Sequence, residues 1–174
     1  AGAAGGFIDK YGYPFLQGRI FDTLEEDKGQ YDDFKRLFWA SGCALFVKRE
    51  VIEKIGFLDE DFFAHQEEID FCWRANIAGY RIYYVPNSVI YHLGGGTLNH
   101  ENYFKLYLNH RNNITMILKN ADWKHLFKIF FPRLCLEMLS AFKSFKRFRA
   151  VFASLFYNVF HFAKTWKKRE VIQN

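Results

Sequence analysis

Three carboxylates and an arginine lie close together in the stretch Gln66-Glu67-Glu68-Ile69-Asp70-Phe71-Cys72-Trp73-Arg74. The stretch predicts a helix over 67–78 that ends at Gly79. Because the chain turns about 100° per residue in a helix, Glu68 lies about 100° round from Glu67. One face of this helix carries Glu67, Asp70, Phe71 and Arg74. The opening turns of a single helix therefore concentrate the charged groups of this stretch.

Two roles fit the carboxylates of this helix. The helix dipole favours anions in the first turn, so it keeps Glu67 and Glu68 ionised, and an ionised carboxylate can remove a proton from a hydroxyl within reach. Acidic first turns are also common in helices without catalytic function, and Asp70 and Arg74 form an ordinary i,i+4 pair. Spacing alone favours the second, structural role.

Runs of β-forming residues and glycines predict the elements around this helix. A strand region spans Leu37–Lys48, with Ala44–Val47 as its buried run. A short helix over Glu50–Ile55 is closed by Gly56. After the central helix, strands over 80–85 and 88–92 are joined by a Pro-Asn turn, and another helix covers 101–119.

The composition is that of a folded protein with free thiols. The 174 residues are 50% hydrophobic and 25% charged, which excludes a disordered chain and allows one substantial core. The three cysteines, Cys43, Cys72 and Cys135, are odd in number and have no CxxC spacing. Reduced thiols, a cytoplasmic setting and the absence of a zinc site are therefore expected.

Charge is distributed unevenly along the chain. Residues 1–100 carry 10 Lys/Arg and 15 Asp/Glu, net −5, whereas residues 101–174 carry 14 and 4, net +10, which together give +5. From Trp123 onward aromatic residues recur at intervals of three and four, and Pro132 is expected to kink or interrupt the helix. Residues 150–163 carry no Asp, Glu, Lys or Arg, but this stretch is shorter than the roughly 20 residues that span a bilayer. The end of the chain is predicted to be a basic, aromatic, helical arm.

Several further motifs occur in one order at close spacing. They are Trp-Ala-Ser-Gly-Cys-Ala-Leu-Phe-Val-Lys-Arg at 39–49, Ile-Gly-Phe-Leu-Asp-Glu-Asp-Phe-Phe at 55–63, the acidic stretch at 67–74, Gly-Tyr-Arg at 79–81, Val-Pro at 85–86 and Tyr-His-Leu-Gly-Gly-Gly-Thr at 91–97. Together they resemble the C-terminal half of a bacterial family 2 glycosyltransferase of the rhamnosyltransferase-like kind, over residues 2–119. The resemblance implies an α/β fold, a partial GT-A (nucleotide-diphospho-sugar transferase) fold that lacks its N-terminal nucleotide-binding half.

The resemblance also implies an inverting sugar transfer with Glu68 as the catalytic base. The family usually has Glu-Asp-x-Asp at this point, with the second acid as the base, and Glu68 occupies that position. Glutamate keeps the carboxylate but lengthens the side chain by one methylene, so the choice between Glu67 and Glu68 stays open. Glu67, Asp70 and Arg74 would orient the acceptor and brace the helix.

Other substrate contacts follow from the same resemblance. Trp39, Ser41 and Gly42 would line the donor and acceptor pocket, although Ser41-Gly42 also fits a simple bend. His92 would donate to a diphosphate or complete a metal shell, unless it is a hydrogen-bonded structural residue. Backbone amides of the triple glycine would approach a ligand closely, since no side chain intervenes at Gly94, Gly95 and Gly96.

A divalent metal, Mg²⁺ or Mn²⁺, is implied for the parent enzyme, with its main ligands outside this sequence. Asp59-Glu60-Asp61 spells the Asp-x-Asp metal motif of GT-A enzymes. It falls in the family's Phe-Asp-Glu-x-Phe-Phe turn, downstream of the position of the metal motif. We therefore predict a structural turn there, in which acidic side chains satisfy backbone donors, and no metal ligands in this sequence.

The predicted organisation is an acceptor-side catalytic part over 1–119 and a tail over 120–174. The donor would be a nucleotide diphosphate sugar, and the acceptor a hydroxyl of a cell-surface glycan or lipid-linked molecule. Residues 123–169 would lie on the anionic inner face of the cell membrane, which makes the protein cytoplasmic and peripheral. No nucleic-acid partner is expected, because no recognition motif accompanies the basic charge. The chain alone is expected to be inactive and to self-associate.

Two alternatives remain open at this point. The tail would instead pack against the missing part of the enzyme or against a partner chain. The whole chain would otherwise be a non-enzymatic module that docks on a membrane or partner, with residues 1–119 as a scaffold.

Overall fold

A computed structural model describes residues 4–20, 23–92 and 102–174. In these ranges the chain is a mixed α/β protein with six α-helices and three two-stranded antiparallel sheets. Contacts divide it into two compact units. The first unit contains the described residues up to Leu58 together with Glu68–His92, and the second contains Asp59–Glu67 and the described residues after His92. The predicted functional division at residue 119 stays a prediction.

Three small sheets shape the first unit. Strand β1 (Gly6–Ile8) pairs with β2 (Pro14–Leu16), β3 (Arg19–Ile20) pairs with β4 (Thr23–Leu24), and β5 (Lys35–Leu37) pairs with β6 (Ile82–Tyr84). In the third pair Leu37 faces Ile82 and Lys35 faces Tyr84. Since β5 and β6 are far apart in sequence, their pairing joins the start and the end of the first unit.

The backbone at Gly6 passes directly over Trp39. Gly6 and Trp39 exchange backbone hydrogen bonds of 3.1 and 3.2 Å, and a Cβ at Gly6 would lie 2.2 Å from the Trp39 ring. Only glycine fits at this distance. The buried indole of Trp39 is thereby fixed in the core of the first unit.

Two predicted helices of the first unit are confirmed. Helix α1 (Arg49–Ile55) ends at Gly56, whose φ of 75° is left-handed and whose amide donates to the carbonyl of Ile52 at 2.9 Å. Helix α2 (Glu67–Ile77) ends one residue earlier than predicted, and Gly79 follows with φ 91°. Of the strand predicted over 80–85, residues Ile82–Tyr84 are confirmed, as is the turn at Pro86-Asn87.

Two strand predictions are wrong. The strand region at Leu37–Lys48 is reduced to the last residue of β5, and Gly42–Ala44 forms a 3-10 turn closed by a 3.0 Å bond from the amide of Ala44 to Ser41. The run Ala44–Val47 is not buried, and Phe46 is 94% exposed. Residues Ser88–His92 form no strand and are exposed. In both places an apolar run predicts burial, but no described part of the fold covers it.

Four helices build the second unit: α3 (Tyr103–Asn120), α4 (Trp123–Ala141), α5 (Phe145–Phe160) and α6 (Phe162–Gln173). Side-chain oxygens cap the first three, since Asn102, Asp122 and Ser144 accept from the amides of residues 104, 125 and 147. The core lies between α3 and α5, where Leu108, Met116, Ala150 and Val151 are fully buried.

Helix α4 continues through Pro132, so the interruption considered from the sequence does not occur. Every helix in the described ranges is either too short or too polar to cross a membrane.

Candidate active site

The turn before α2 has an unusual backbone. Phe63, His65 and Gln66 have φ values of 62°, 68° and 69°, a left-handed region that side chains larger than glycine rarely adopt. Such conformations persist only where surrounding contacts impose them, and they cluster at functional sites. The turn delivers the chain directly to Glu67, the first residue of α2.

Helix α3 imposes this turn through side-chain hydrogen bonds to backbone oxygens. The guanidinium of Arg111 donates to the carbonyls of Asp61 at 2.9 Å and Phe62 at 2.7 Å. The amide of Asn112 donates to the carbonyls of Ala64 at 2.8 Å and His65 at 2.7 Å. Arg111 and Asn112 are both buried, so these bonds are made away from water and hold the turn tightly.

Gln66 is held by the same helix. Its side-chain nitrogen donates to the carbonyl of Asn109 at 3.2 Å, and its oxygen accepts from the side chain of Asn113 at 3.0 Å. Both polar atoms of Gln66 therefore have partners in α3, which explains how a non-glycine residue is kept at positive φ.

Two polar atoms at this turn are buried without a hydrogen-bond partner among the described residues: Nε2 of His65 and Oε2 of Glu67. Burial lowers the pKa of His65, the charge of Lys105 lowers it further, and Glu67 opposes both. His65 is therefore neutral at pH 7, and a neutral imidazole can accept or donate one hydrogen bond at each nitrogen. A hydroxyl group can hydrogen-bond to either atom.

Glu68 lies beside the turn at Ser41-Gly42 in the first unit. A Cβ built on Gly42 would be 3.6 Å from Cβ of Glu68 and 3.8 Å from its Cγ. The fold thus brings together two predicted site residues that lie 26 positions apart in the sequence. The side chain of Glu68 is half-buried beside this turn.

Asp70 and Arg74 brace α2, as predicted. Nε of Arg74 donates to Asp70 at 2.9 Å, and the two side chains are 8% and 0% exposed. The terminal nitrogens of Arg74 donate to the carbonyls of Ile55 and Phe57, each at 2.6 Å. These contacts tie α2 to the turn after α1, so the pair holds the helix that carries Glu68.

Cys72 lies on the same helix, but its thiol has low reactivity. Its sulfur is buried and accepts a weak bond from the amide of Ala40 at 3.5 Å. Burial raises the pKa of the Cys72 thiol to about 11, so the reactive thiolate is almost absent at pH 7. Cys43 and Cys135 are exposed, and all three cysteines are free thiols.

The turn predicted at Asp59-Glu60-Asp61 is confirmed. Glu60–Phe62 forms a single 3-10 turn, and the Asp59 side chain accepts from the amide of Asp61 at 3.1 Å. Lysines of α3 and α6 occupy the same carboxylates. Lys119 and Lys168 contact Asp59, and Lys164 and Lys168 contact Asp61, all within 2.6–2.7 Å.

These lysines occupy the carboxylates that a cation would need at the turn. Burial alone would raise the pKa of Asp59, but the charge of Lys119 and hydrogen bonds from Lys119 and Lys168 outweigh it and hold the pKa well below its ordinary value. A divalent metal would have to displace three ammonium groups. Within residues 4–20, 23–92 and 102–174, no three His, Cys, Asp or Glu side chains lie together in a way that could hold a metal ion.

Trp39 and Ser41 already have partners within the first unit. The indole nitrogen of Trp39 donates to the carbonyl of Phe7 at 2.8 Å, and the Ser41 hydroxyl lies 3.1 Å from the sulfur of Cys43. The side chain of Trp39 is 6% exposed. Trp39 is therefore a buried residue just before the Ser41-Gly42 turn, and its predicted contact with substrate stays a prediction.

The remaining predicted contacts lie at the edge of the described chain. His92 is exposed at the end of the segment after β6. Gly94, Gly95 and Gly96 lie outside the described residues, so the predicted diphosphate contacts there stay predictions.

Sequence reasoning missed His65, Arg111 and Asn112. The polar run 110–113 within an otherwise apolar helix was the available signal for the last two, because buried polar residues need partners. Nothing in the local pattern around His65 indicates a left-handed backbone. That conformation depends on bonds from residues almost 50 positions away.

Comparison with known proteins gives partial matches, all to proteins named as glycosyltransferases. The chain is 35% identical over 65 residues to the low-salt glycan biosynthesis hexosyltransferase Agl10 of Haloferax volcanii, which covers 36% of this chain and 21% of that protein. It is 35% identical over 54 residues to the N-acetylglucosaminyl-diphospho-decaprenol L-rhamnosyltransferase of Mycobacterium tuberculosis, or 31% of this chain and 18% of that protein.

A longer match joins the chain to the rhamnosyltransferase WbbL of Escherichia coli K12. It is 25% identical over 114 residues, which is 66% of this chain and 37% of that protein. No protein-family model and no solved structure matches the chain. The chain thus spans between about a fifth and somewhat more than a third of the relatives it matches, and it is similar over those parts to sugar-transferring enzymes.

Proposed function

We propose that this chain is the acceptor-side part of an inverting family 2 glycosyltransferase with a GT-A fold. The complete enzyme would move a sugar from a nucleotide diphosphate donor to a hydroxyl of a cell-surface glycan or lipid-linked acceptor. Partial similarity to named glycosyltransferases supports the class of reaction. The observation that carries the site is the first turn of α2, where Glu67 and Glu68 follow a backbone that α3 holds in a strained conformation.

Glu68 is the catalytic base in this proposal. Its carboxylate takes the proton of the acceptor hydroxyl while the hydroxyl oxygen forms a bond to the anomeric carbon. The bond between that carbon and the diphosphate oxygen breaks on the opposite side, and the nucleotide diphosphate leaves with the electron pair. Gly42 lies beside Glu68, so the acceptor would pass close to the Ser41-Gly42 turn.

His65 and Glu67 hold the acceptor in this proposal. Their buried Nε2 and Oε2 atoms have no partner among the described residues, and a polyhydroxylated acceptor supplies the missing hydrogen bonds. Asp70 and Arg74 do not contact the acceptor in this proposal, because their polar atoms bond to each other and to backbone carbonyls. They keep the first turn of α2 in place.

Mg²⁺ or Mn²⁺ would neutralise the leaving diphosphate in the complete enzyme. The Asp59–Asp61 turn does not fit that ion, because its carboxylates are paired with lysines. In this proposal the main metal ligands belong to parts of the enzyme outside the described residues.

A second function class has one observation in its favour. Helix α4 exposes aromatic side chains to solvent, as a docking module would. A docking module needs neither the strained turn before α2 nor the buried polar atoms of His65 and Glu67. The docking function therefore accounts only for the tail of the chain.

The test is Glu68→Gln in the full-length enzyme. We expect turnover to fall by about two to four powers of ten, the usual contribution of a general base, while donor affinity changes little. Glu53→Gln is the matched control, since this exposed glutamate lies on α1. Loss of turnover in Glu67→Gln but not in Glu68→Gln would show that the neighbouring carboxylate is the base. Unchanged turnover in both variants would contradict the proposed site.

A further inference from the structure

Helix α4 carries its aromatic residues on the outside. The exposed fractions are 51% for Trp123, 67% for Phe127, 57% for Phe130, 72% for Phe131 and 37% for Leu134. Their spacing of three and four residues places them in a stripe about 100° wide along the helix. We call these five residues the aromatic face. A soluble protein rarely leaves so much contiguous apolar surface in water without a partner for it.

Buried charges on the neighbouring face of α4 fix this orientation. Arg133 and Glu137 are 6% and 1% exposed, and Nε of Arg133 donates to Glu137 at 3.1 Å. Nδ1 of His110 on α3 lies 2.5 Å from the other oxygen of Glu137. Turning α4 to bury its aromatic residues would separate these groups and leave a charge without its partner. The aromatic face is therefore held outward by the packing of the second unit.

The charge of Glu137 depends on this pairing. Burial alone would raise the pKa of Glu137, but the hydrogen bond to His110 and the charge of Arg133 outweigh it and lower the pKa. Glu137 is therefore ionised at neutral pH and is neutralised inside the unit. It is the only acidic residue between 123 and 169, so no acidic side chain of this segment reaches solvent.

Exposed basic residues surround the aromatic face. Lys124 and Lys128 lie on α4, one to two residues from its aromatic positions, and Lys143 and Lys146 follow the helix. Leu139, Phe142 and Phe145 continue the exposed apolar surface at 71%, 77% and 77%. A second copy of the chain would bring lysine against lysine at such a surface, which opposes self-docking. An anionic surface would attract the same lysines.

We propose that the aromatic face docks on the surface of an anionic lipid bilayer. Trp123, Phe127, Phe130 and Phe131 insert at the level of the headgroups, and α4 lies in the plane of the interface. Lys124 and Lys128 contact lipid phosphates. The proposal does not depend on the chemistry at Glu68.

The test is co-sedimentation of the 174-residue chain with vesicles of phosphatidylglycerol and phosphatidylcholine, or of phosphatidylcholine alone. We expect binding to the anionic vesicles that weakens as salt rises, because the attraction by lysines is partly Coulombic and screened. Lys124→Glu with Lys128→Glu should weaken binding at least about tenfold, since each basic residue near the surface contributes about 1 kcal/mol.

Phe131→Ser tests the apolar contribution against a matched control. We expect Phe131→Ser to bind about fivefold more weakly, because one inserted ring is lost. Phe46→Ser should bind as tightly as the unchanged chain, because its ring, 94% exposed, lies in the first unit and outside the aromatic face. Both rings are solvent-exposed, so neither change should unfold the protein, and circular dichroism of both variants is the check.

Three results would overturn the proposal: no binding to anionic vesicles, equal binding to neutral vesicles, or equal binding by Phe131→Ser and the unchanged chain. Reversible dimers in sedimentation that Phe131→Ser dissociates would assign the face to a second copy instead.

Discussion

At the scale of single residues, two ion pairs of the same type differ in their surroundings. Arg74 and Asp70 on α2 lie 2.9 Å apart, and Arg49 and Glu53 on α1 lie 2.8 Å apart, both at i,i+4 spacing. The first pair is 8% and 0% exposed, whereas the second is 92% and 63% exposed. Water screens the second pair but not the first, so geometry alone does not determine how much each pair contributes to stability.

Truncating the two arginines should therefore have very different effects. We expect Arg74→Ala to lower the free energy of unfolding by about 3–5 kcal/mol, because it leaves Asp70 charged and buried. Arg49→Ala should cost below about 1 kcal/mol. Urea denaturation of both variants at neutral pH is the measurement. Equal losses would mean that Asp70 is protonated or solvated in the folded protein.

At the scale of elements, helices with clear ends could be predicted and isolated strands could not. Helices α1 and α2 have glycines just beyond them, and left-handed glycine is a local property of the sequence. The run Ala44–Val47 has the composition of a buried strand, but burial depends on what the fold places over it, and Phe46 remains exposed. Composition cannot supply that information.

The candidate site shows the same limit. Helical spacing places Glu67, Asp70 and Arg74 on one face, but the site roles of these residues and of Glu68 come from the resemblance of the motif order to a known family. The contribution of α3 could not be predicted, because Arg111 and Asn112 reach back almost 50 residues to the turn before α2. Helical periodicity describes which side chains share a face, and it gives no information on which distant carbonyls they meet.

The pairing of α6 with the Asp59–Asp61 turn should appear in the pH dependence of stability. The pKa values of Asp59 and Asp61 are lowered in the folded protein, with burial opposing the shift and lysines causing it. The pairing therefore stabilises the fold above the unfolded pKa of about 3.9, and its contribution is lost as pH falls below that value. Urea denaturation at pH 7 and pH 3 measures the loss.

Asp59→Asn should remove part of this pH dependence, because the amide does not titrate. Asp33→Asn is the matched control, since this aspartate is exposed and outside the cluster. The control should keep the full difference in stability between the two pH values. If Asp59→Asn also keeps it, the Asp59 carboxylate does not couple folding to pH.

At the scale of the whole molecule, the uneven charge of the sequence is partly neutralised in the fold. Asp59 and Asp61 lie in the acidic part of the chain, and the lysines that contact them lie 60 to 109 positions later in the basic part. The sequence alone shows an Asp-x-Asp motif without these neighbours. The position of this motif among the other motifs of the sequence predicted a turn. The paired lysines are the physical reason why its carboxylates differ from those of a metal site.

The 174-residue chain by itself should therefore show no Mn²⁺-dependent binding of a nucleoside diphosphate. The carboxylates of Asp59 and Asp61 are neutralised by three ammonium groups, and a cation that bridges them to a diphosphate would have to displace those groups. Calorimetric titration with UDP, GDP and dTDP, with and without Mn²⁺, is the measurement. Mn²⁺-dependent binding that disappears in Asp59→Asn or Asp61→Asn, but persists in Asp33→Asn, would show that the turn releases its lysines and takes up the metal.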